Sequence, residues 1–161
     1  MASTSYLARV IVRPHTEGTD DFTGSSYDLM LAAKSIGSPV QPPNTVESTT
    51  LEDDCQTYEM GIKKSDAIEI TGNLNKDDLT QLDTFASNGT VLDIVHLYGT
   101  KGLGEVAMYG YTGTVSATPD SVGGVDEILG MTVTAVPKTA PKKLNLKATK
   151  SAEGKFTLSA E

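Results

Sequence analysis

Tryptophan is absent from this 161-residue chain, cysteine occurs once and histidine only twice. A lone Cys55 leaves no internal disulfide and no cysteine-based zinc site to expect. With His15 and His96 as the only imidazoles, there is little material for acid–base work. No apolar run approaches the roughly 18 residues that a membrane-spanning helix needs, so no membrane insertion is expected. The opening MASTSYLARVIVRPH lacks a charged start followed by an apolar core. It is therefore not expected to be a secretory signal, and synthesis in a reducing cytoplasm is the expectation. Basic charge is scarce as well: 13 Lys and Arg against 21 Asp and Glu give a net charge of −8. Such a surface is not expected to grip phosphates.

What is present points to strands. Hydrophobic residues make up 38% of the chain and aromatics 6%, thin but adequate for the core of one domain, with or without arms. Fifteen Gly, with abundant Thr, Ser and Val, favour strands and turns over helices. Charge is unevenly placed. Residues 1–136 carry 7 basic and 19 acidic side chains, a net −12, whereas residues 137–161 carry 6 Lys against Glu153 and Glu161, a net +4. A basic tail on an acidic body is suited either to docking on another copy of that body or simply to solvation.

Taken in order, residues 1–27 read as an N-terminal arm in which Tyr6, Leu7, Val10 and Ile11 could form a short strand ended by Pro14. Residues 28–36, DLMLAAKSI, read as a strand stopped by Gly37 to Pro39. After a linker holding Pro42 and Pro43, the stretch VESTTLEDDCQTYEMGIKKSDAIEITG (Val46 to Gly72) reads as a long finger over 46–66. Within it Tyr58, Met60 and Ile62 alternate with polar residues, as do Ile68 and Ile70 after a turn at Lys63 to Asp66. These two runs are expected to pair. Leu51, with Thr49 and Thr50 behind it and Glu52, Asp53 and Asp54 in front, has no core periodicity, so that excursion is a mobile loop or a surface awaiting a partner.

One helix is expected, over 76–87. Asn75 is its N-cap, Asp77 and Asp78 face its positive dipole end, and Leu79, Leu82, Phe85 and Ala86 form one apolar stripe. Asn88-Gly89 stops it. Strands follow at Thr90 to Tyr98, apolar on both faces, then at Glu105 to Val115 after a Gly-rich turn, and at Glu127 to Val136. In the last, Leu129, Met131, Val133 and Ala135 should point inward, and Thr132 and Thr134 opposite. Beyond Pro137 and Pro141, Leu144, Leu146, Phe156 and Leu158 alternate weakly and could add edge strands. The sum is a mainly β domain, sandwich- or barrel-like, with one flanking helix, an extended loop and terminal arms. It comprises residues 28–137, between the arm and a basic C-terminal tail at 138–161.

No arrangement of residues points to catalysis. His96 alternates with Ile94 and Tyr98 and reads as a packed or interface histidine rather than a base. There is no G-x-S-x-G nucleophile elbow, and the acidic Glu52 to Asp54 run lacks the alternation of a calcium loop. Gly99, Gly102 and Gly104 lie between strands with no Gly-Lys-Ser/Thr after them, so they make a hairpin turn rather than a phosphate cradle. No enzyme activity, cofactor or metal is expected.

The order of elements, together with VESTTLEDDCQTYEMGIKKSDAIEITGNLNKDDLTQLDTF and the closing GMTVTAVPK, resembles the major tail tube proteins of long-tailed, non-contractile (siphovirus-type) bacteriophages. The resemblance covers about Ser35 to Pro137. It implies a structural virion protein, assembled in the host bacterial cytoplasm, whose copies form stacked hexameric rings. Each subunit would donate strands to a continuous central barrel, with the finger reaching a neighbouring ring. The tube would enclose a tape-measure protein, meet tail terminator and distal tail proteins at its ends, and later conduct DNA without binding it specifically. Closing six sheets into one barrel would remove their exposed edges.

On that resemblance, Leu51, Glu52, Asp53, Asp54 and Tyr58 are the expected inter-subunit or ring-stacking residues. Lys142, Lys143 and Lys147 are expected to dock on acidic neighbours, and Glu69 and Asp93 to face the lumen. A monomeric immunoglobulin-like binding or adhesion module is the alternative from another class. A tube subunit of a phage-derived tailocin or secretion device shares the first mechanism.

Overall fold

A computed structural model describes residues 8–17, 21–31, 33–40, 43, 45–52, 54–60, 66–99, 103–126 and 128–160. Its spine is a pair of antiparallel strands, β1 (Arg9–Pro14) and β7 (Leu92–Tyr98), paired from Arg9↔Leu97 to Pro14↔Leu92. Both are buried on both faces, as the Val10-Ile11-Val12 run of β1 and the largely apolar β7, interrupted only by Asp93 and His96, require. Two cores result. On one face Val10, Val12, Leu92 and Ile94 join Tyr111, Met131, Val133 and Ile70. On the other, Ile11, Val95 and Leu97 meet Tyr27, Met108, Phe156 and Leu158.

The remaining strands are β2 (Gly24–Leu29), β3 (Ala33–Ile36), β4 (Thr45–Glu47), β5 (Tyr58–Met60), β6 (Ile68–Asn73), β8 (Ala107–Pro119), β9 (Gly130–Pro137), β10 (Lys142–Lys143), β11 (Leu146–Lys150) and β12 (Phe156–Ala160). The large sheet runs β11-β12-β2-β1-β7-β8-β9-β6-β3, all antiparallel, and β10 adds to β8. Because β3 returns to lie against β1, the sheet rolls into a barrel-like shape round the first core. The second core fills the space between the outer face of β1, β7 and β8 and the β11-β12-β2 layer. The fold is thus mainly β, with one helix among the described residues.

That helix, α1 (Lys76–Asn88), packs across β8. Its local signals behave as expected. The Asn75 side chain accepts from the backbone N–H groups of Asp77 (2.9 Å) and Asp78 (3.4 Å), and Gly89 closes the helix in the left-handed region at φ 62°. Leu82 is buried, Leu79 and Phe85 pack against the first core, and Ala86 lies exposed.

Several expectations change. The stretch read as an arm supplies β1 and the start of β2, because its Val-Ile-Val run is needed in both cores. The single strand over 28–36 is two. β2 ends at Leu29, and the chain then crosses from the β1 side of the sheet to pair β3 with β6, burying Met30 and Leu31 in the first core as it does so. Tyr58 to Met60 does not pair with Ile68 to Ile70, because β6 already has β9 on one side and β3 on the other; β5 pairs with β4 instead. The expected turn at 63–65 lies outside the described residues. Leu129 is 52% exposed rather than inward, since β9 begins only at Gly130. The basic C-terminal segment carries the strands that its weak alternation suggested: residues 142–160 contribute three, and, beyond that expectation, Leu144, Ala148, Phe156 and Leu158 seal the second core.

Candidate assembly surface

The β4–β5 hairpin stands apart. Among the described residues its strands pair only with each other, through Thr45↔Met60, Val46↔Glu59 and Glu47↔Tyr58. All six strand residues are exposed. The loop between them is tied by one backbone and two side-chain hydrogen bonds: Ser48 N–H donates to the Thr57 carbonyl (2.9 Å), Thr57 N–H to Thr49 Oγ1 (2.9 Å), and the Tyr58 hydroxyl to Gln56 Oε1 (3.0 Å). These bonds shape the tip and leave its apolar groups in water: Leu51 is 106% exposed, Met60 75%, Tyr58 56% and Val46 55%. Glu47, Glu52, Asp54 and Glu59 surround them, also exposed, with no Lys or Arg anywhere between Lys34 and Lys63. A two-stranded hairpin of this kind is marginal in water by itself. Of the expected contact residues, Leu51, Glu52, Asp54 and Tyr58 therefore share one exposed hairpin, and Asp53 lies outside the described residues. Cys55 is exposed on the same loop.

The two acids expected to face a lumen part company. Asp93 is fully buried, which overturns that reading. Its carboxylate accepts from Arg13 Nε (3.1 Å) and from His15 Nδ1 (2.7 Å). Arg13 also donates to the Thr23 carbonyl (3.1 Å) and lies 4.4 Å from the centre of the Tyr27 ring. A buried carboxylate needs a counter-charge and hydrogen-bond donors, which Arg13 and His15 supply, and the cluster ties the end of β1 and the segment after it to β7. Glu69, by contrast, is exposed between buried Ile68 and Ile70. The ladders carry its face across three strands: Glu69 pairs with Thr134 and Thr134 with Ser116, while Thr71 pairs with Thr132 and Thr132 with Thr118. The outer face of β6, β9 and β8 is thus a patch of hydroxyls with Glu69, and with Asp120 at its end, whose Oδ1 accepts from Thr132 Oγ1 (2.7 Å). The Thr-x-Thr of β9 was visible in the sequence, but Ser116 and Thr118 join the patch only through strand register.

The lysines expected to dock are spread over the C-terminal strands. Lys142 Nζ lies 5.2 Å from the centre of the Phe22 ring, and Lys143 and Lys147 are exposed. Lys155 forms an ion pair with Asp28. A second group of exposed apolar side chains, Val122, Val125, Ile128 and Leu129, sits in the β8–β9 connection.

His96 is a packed residue. Its Nε2 pairs with the Tyr111 hydroxyl (2.9 Å), its ring lies against Tyr111 and Tyr98, and buried Nδ1 finds no partner among the described residues. Burial lowers its pKa to about 4 and pushes the hydroxyls of Tyr111 and Tyr27 upward. Among the described residues no group of three or more His, Cys, Asp and Glu could hold a metal ion.

No protein-family model matches the chain, and no curated protein sequence does. Among solved structures, the type six secretion system protein is a weak likeness, with a TM-score of 0.44 at 13% identity over 95% of this chain and 90% of that one. A chain of the 6-fold symmetrised cryo-EM structure of the anti-feeding prophage (AFP) baseplate superposes with a TM-score of 0.63 at 11% identity, over 89% of this chain and 96% of that one. The chain therefore shares its fold, over most of its length, with a component of a prophage-derived baseplate.

Proposed function

We propose that this protein is a self-assembling structural subunit of a phage-tail-type particle, whose copies form hexameric rings that stack into a hollow tube. The observation that carries the reading is the β4–β5 hairpin, with every strand residue exposed and Leu51, Tyr58 and Met60 in water. Exposed apolar groups on an unsupported hairpin are stabilised when another copy covers them. The shared fold with a chain of a 6-fold symmetrised baseplate supports sixfold rings. That neighbour belongs to an anti-feeding prophage, which favours a phage-derived device as the second reading beside a siphovirus tail.

In a tube, the hydroxyl face of Ser116, Thr118, Thr132 and Thr134, with Glu69, is the surface suited to a wet lumen. It offers DNA no Lys or Arg, and affinity for the nucleic-acid backbone comes from those side chains. A tape-measure protein inside, and terminator and distal tail proteins at the ends, complete the proposed particle. The site of action is the virion or the device particle.

The test is negative-stain microscopy of the purified, concentrated chain beside a variant lacking residues 51–54. Rings or tubes from the wild type, and a folded single particle from the deletion, are expected. Tubes of normal length from the deletion would remove the hairpin from the assembly.

A further inference from the structure

Two hairpins on this chain carry opposite charge and both leave a face uncovered. The first is β4–β5, with exposed Glu47, Glu52, Asp54 and Glu59. The second is β11–β12, at the end of the large sheet. Along β11, Ala148 is buried and its neighbours Lys147 and Thr149 are exposed. Their register partners Ser159 and Thr157 share that outer face. Lys143, exposed in β10, lies just before the anchor Leu144. From Pro137 to Ala160 the only carboxylate is Glu153, in the turn between the two strands. β11 is also the last strand of its sheet, and its outer backbone edge meets no further strand among the described residues.

We propose that the β4–β5 hairpin of one copy docks on the outer, lysine-bearing face of the β11–β12 hairpin of another copy. The inference rests on the reading of the chain as a self-assembling subunit and names the surface that receives the hairpin. Charge selects the site. The other exposed apolar group, in the β8–β9 connection, is flanked by exposed Asp120 and Asp126 and would set acid against acid. Lys143 is exposed on the preceding strand β10, and the lysine face itself offers Lys147 as a counter-charge to Glu52 and Asp54. Its lysine stem and Thr methyl groups present apolar surface to Leu51 and Met60, and an ammonium over the Tyr58 ring adds a cation–π contact. Placement agrees with a heterologous contact, in which different patches meet and copies propagate into rings or filaments. β3, from which the chain leads to the acidic hairpin, and β11 are the two terminal strands of the sheet order, so the two hairpins belong to different edges.

A charge swap in the full-length chain tests this, read by pelleting against concentration and by the rate at which Cys55, exposed on the hairpin loop, reacts with a maleimide. Glu52→Lys with Asp54→Lys, and separately Lys143→Glu with Lys147→Glu, should each raise the concentration for half-maximal assembly about tenfold and leave Cys55 unprotected. All four changes in one chain should restore assembly to within about threefold of wild type, as coupled charge pairs do. The milder pair Glu52→Gln and Lys147→Gln repeats the comparison should a reversal unsettle the fold, and each should weaken assembly. Wild-type assembly should weaken as salt rises. A four-fold variant no better than the worse parent would overturn the proposal while leaving the subunit reading intact. So would lysine variants that assemble normally while Val125→Asp exposes Cys55, since that places the hairpin on the β8–β9 connection. A wild type that stays a single particle at high concentration removes the subunit reading, and this inference with it.

Discussion

Replacing Asp93 by Ala should destabilise the subunit more than any exposed acid can. The carboxylate is fully buried and receives Arg13 Nε at 3.1 Å and His15 Nδ1 at 2.7 Å. Arg13 is itself mostly buried, so its guanidinium would keep Tyr27 and the Thr23 carbonyl but lose its counter-charge. Removing one partner of a buried ion pair costs about 3–5 kcal/mol, because the remaining charge is left uncompensated. For a chain of this size each kcal/mol moves the melting temperature about 2–4 °C, so a fall of roughly 6–20 °C is expected. Asp28→Ala is the control. It removes the exposed partner of Lys155, an interaction of the class worth about 0–1 kcal/mol. Thermal and urea melts of dilute, unassembled protein measure both. A melting point for Asp93→Ala within about 2 °C of wild type would refute the buried-clamp reasoning.

Two further predictions concern the cores. Burial lowers the His96 pKa from 6.5 to about 4, so between those values the unfolded chain binds a proton that the folded one refuses. Stability from neutral His96 is therefore complete above pH 6.5 and drains as the pH falls towards 4, by up to about 3 kcal/mol. Urea melts at several pH values should show a steeper acid loss for wild type than for His96→Gln; parallel curves would contradict this. At Gly113, an added Cβ would stand 2.3 Å from the Val136 carbonyl oxygen, a backbone atom that cannot swing aside. Gly113→Ala should cost about 1–3 kcal/mol by forcing β8 and β9 apart, and an unchanged urea midpoint would show that the pair has slack.

Some of this protein was written within a few residues at a time. The Asn75 cap, the acids after it, the stripe through Leu82 and the Gly89 stop all act inside one helix, so α1 followed from sequence alone. The largely apolar run of β7 likewise announced burial on both faces, and Pro14 and Pro137 marked strand ends. The exposed hairpin was foreshadowed by Leu51 amid acids and hydroxyls with no core period. Pairing was a different matter. Tyr58 to Met60 has the alternation to match either neighbour, and only the occupation of both sides of β6 by β3 and β9 left β4 as its partner. Asp93 looks like any polar residue in a strand; its burial depends on Arg13 and His15, 80 and 78 positions away. The hydroxyl face exists only because register aligns Ser116, Thr134 and Glu69 across three strands. Local signals act through a neighbour's backbone and are therefore readable in order. Strand partners, counter-charges and shared faces are chosen by the whole chain competing for the same edges and the same dry volume, and the tertiary structure alone decided those.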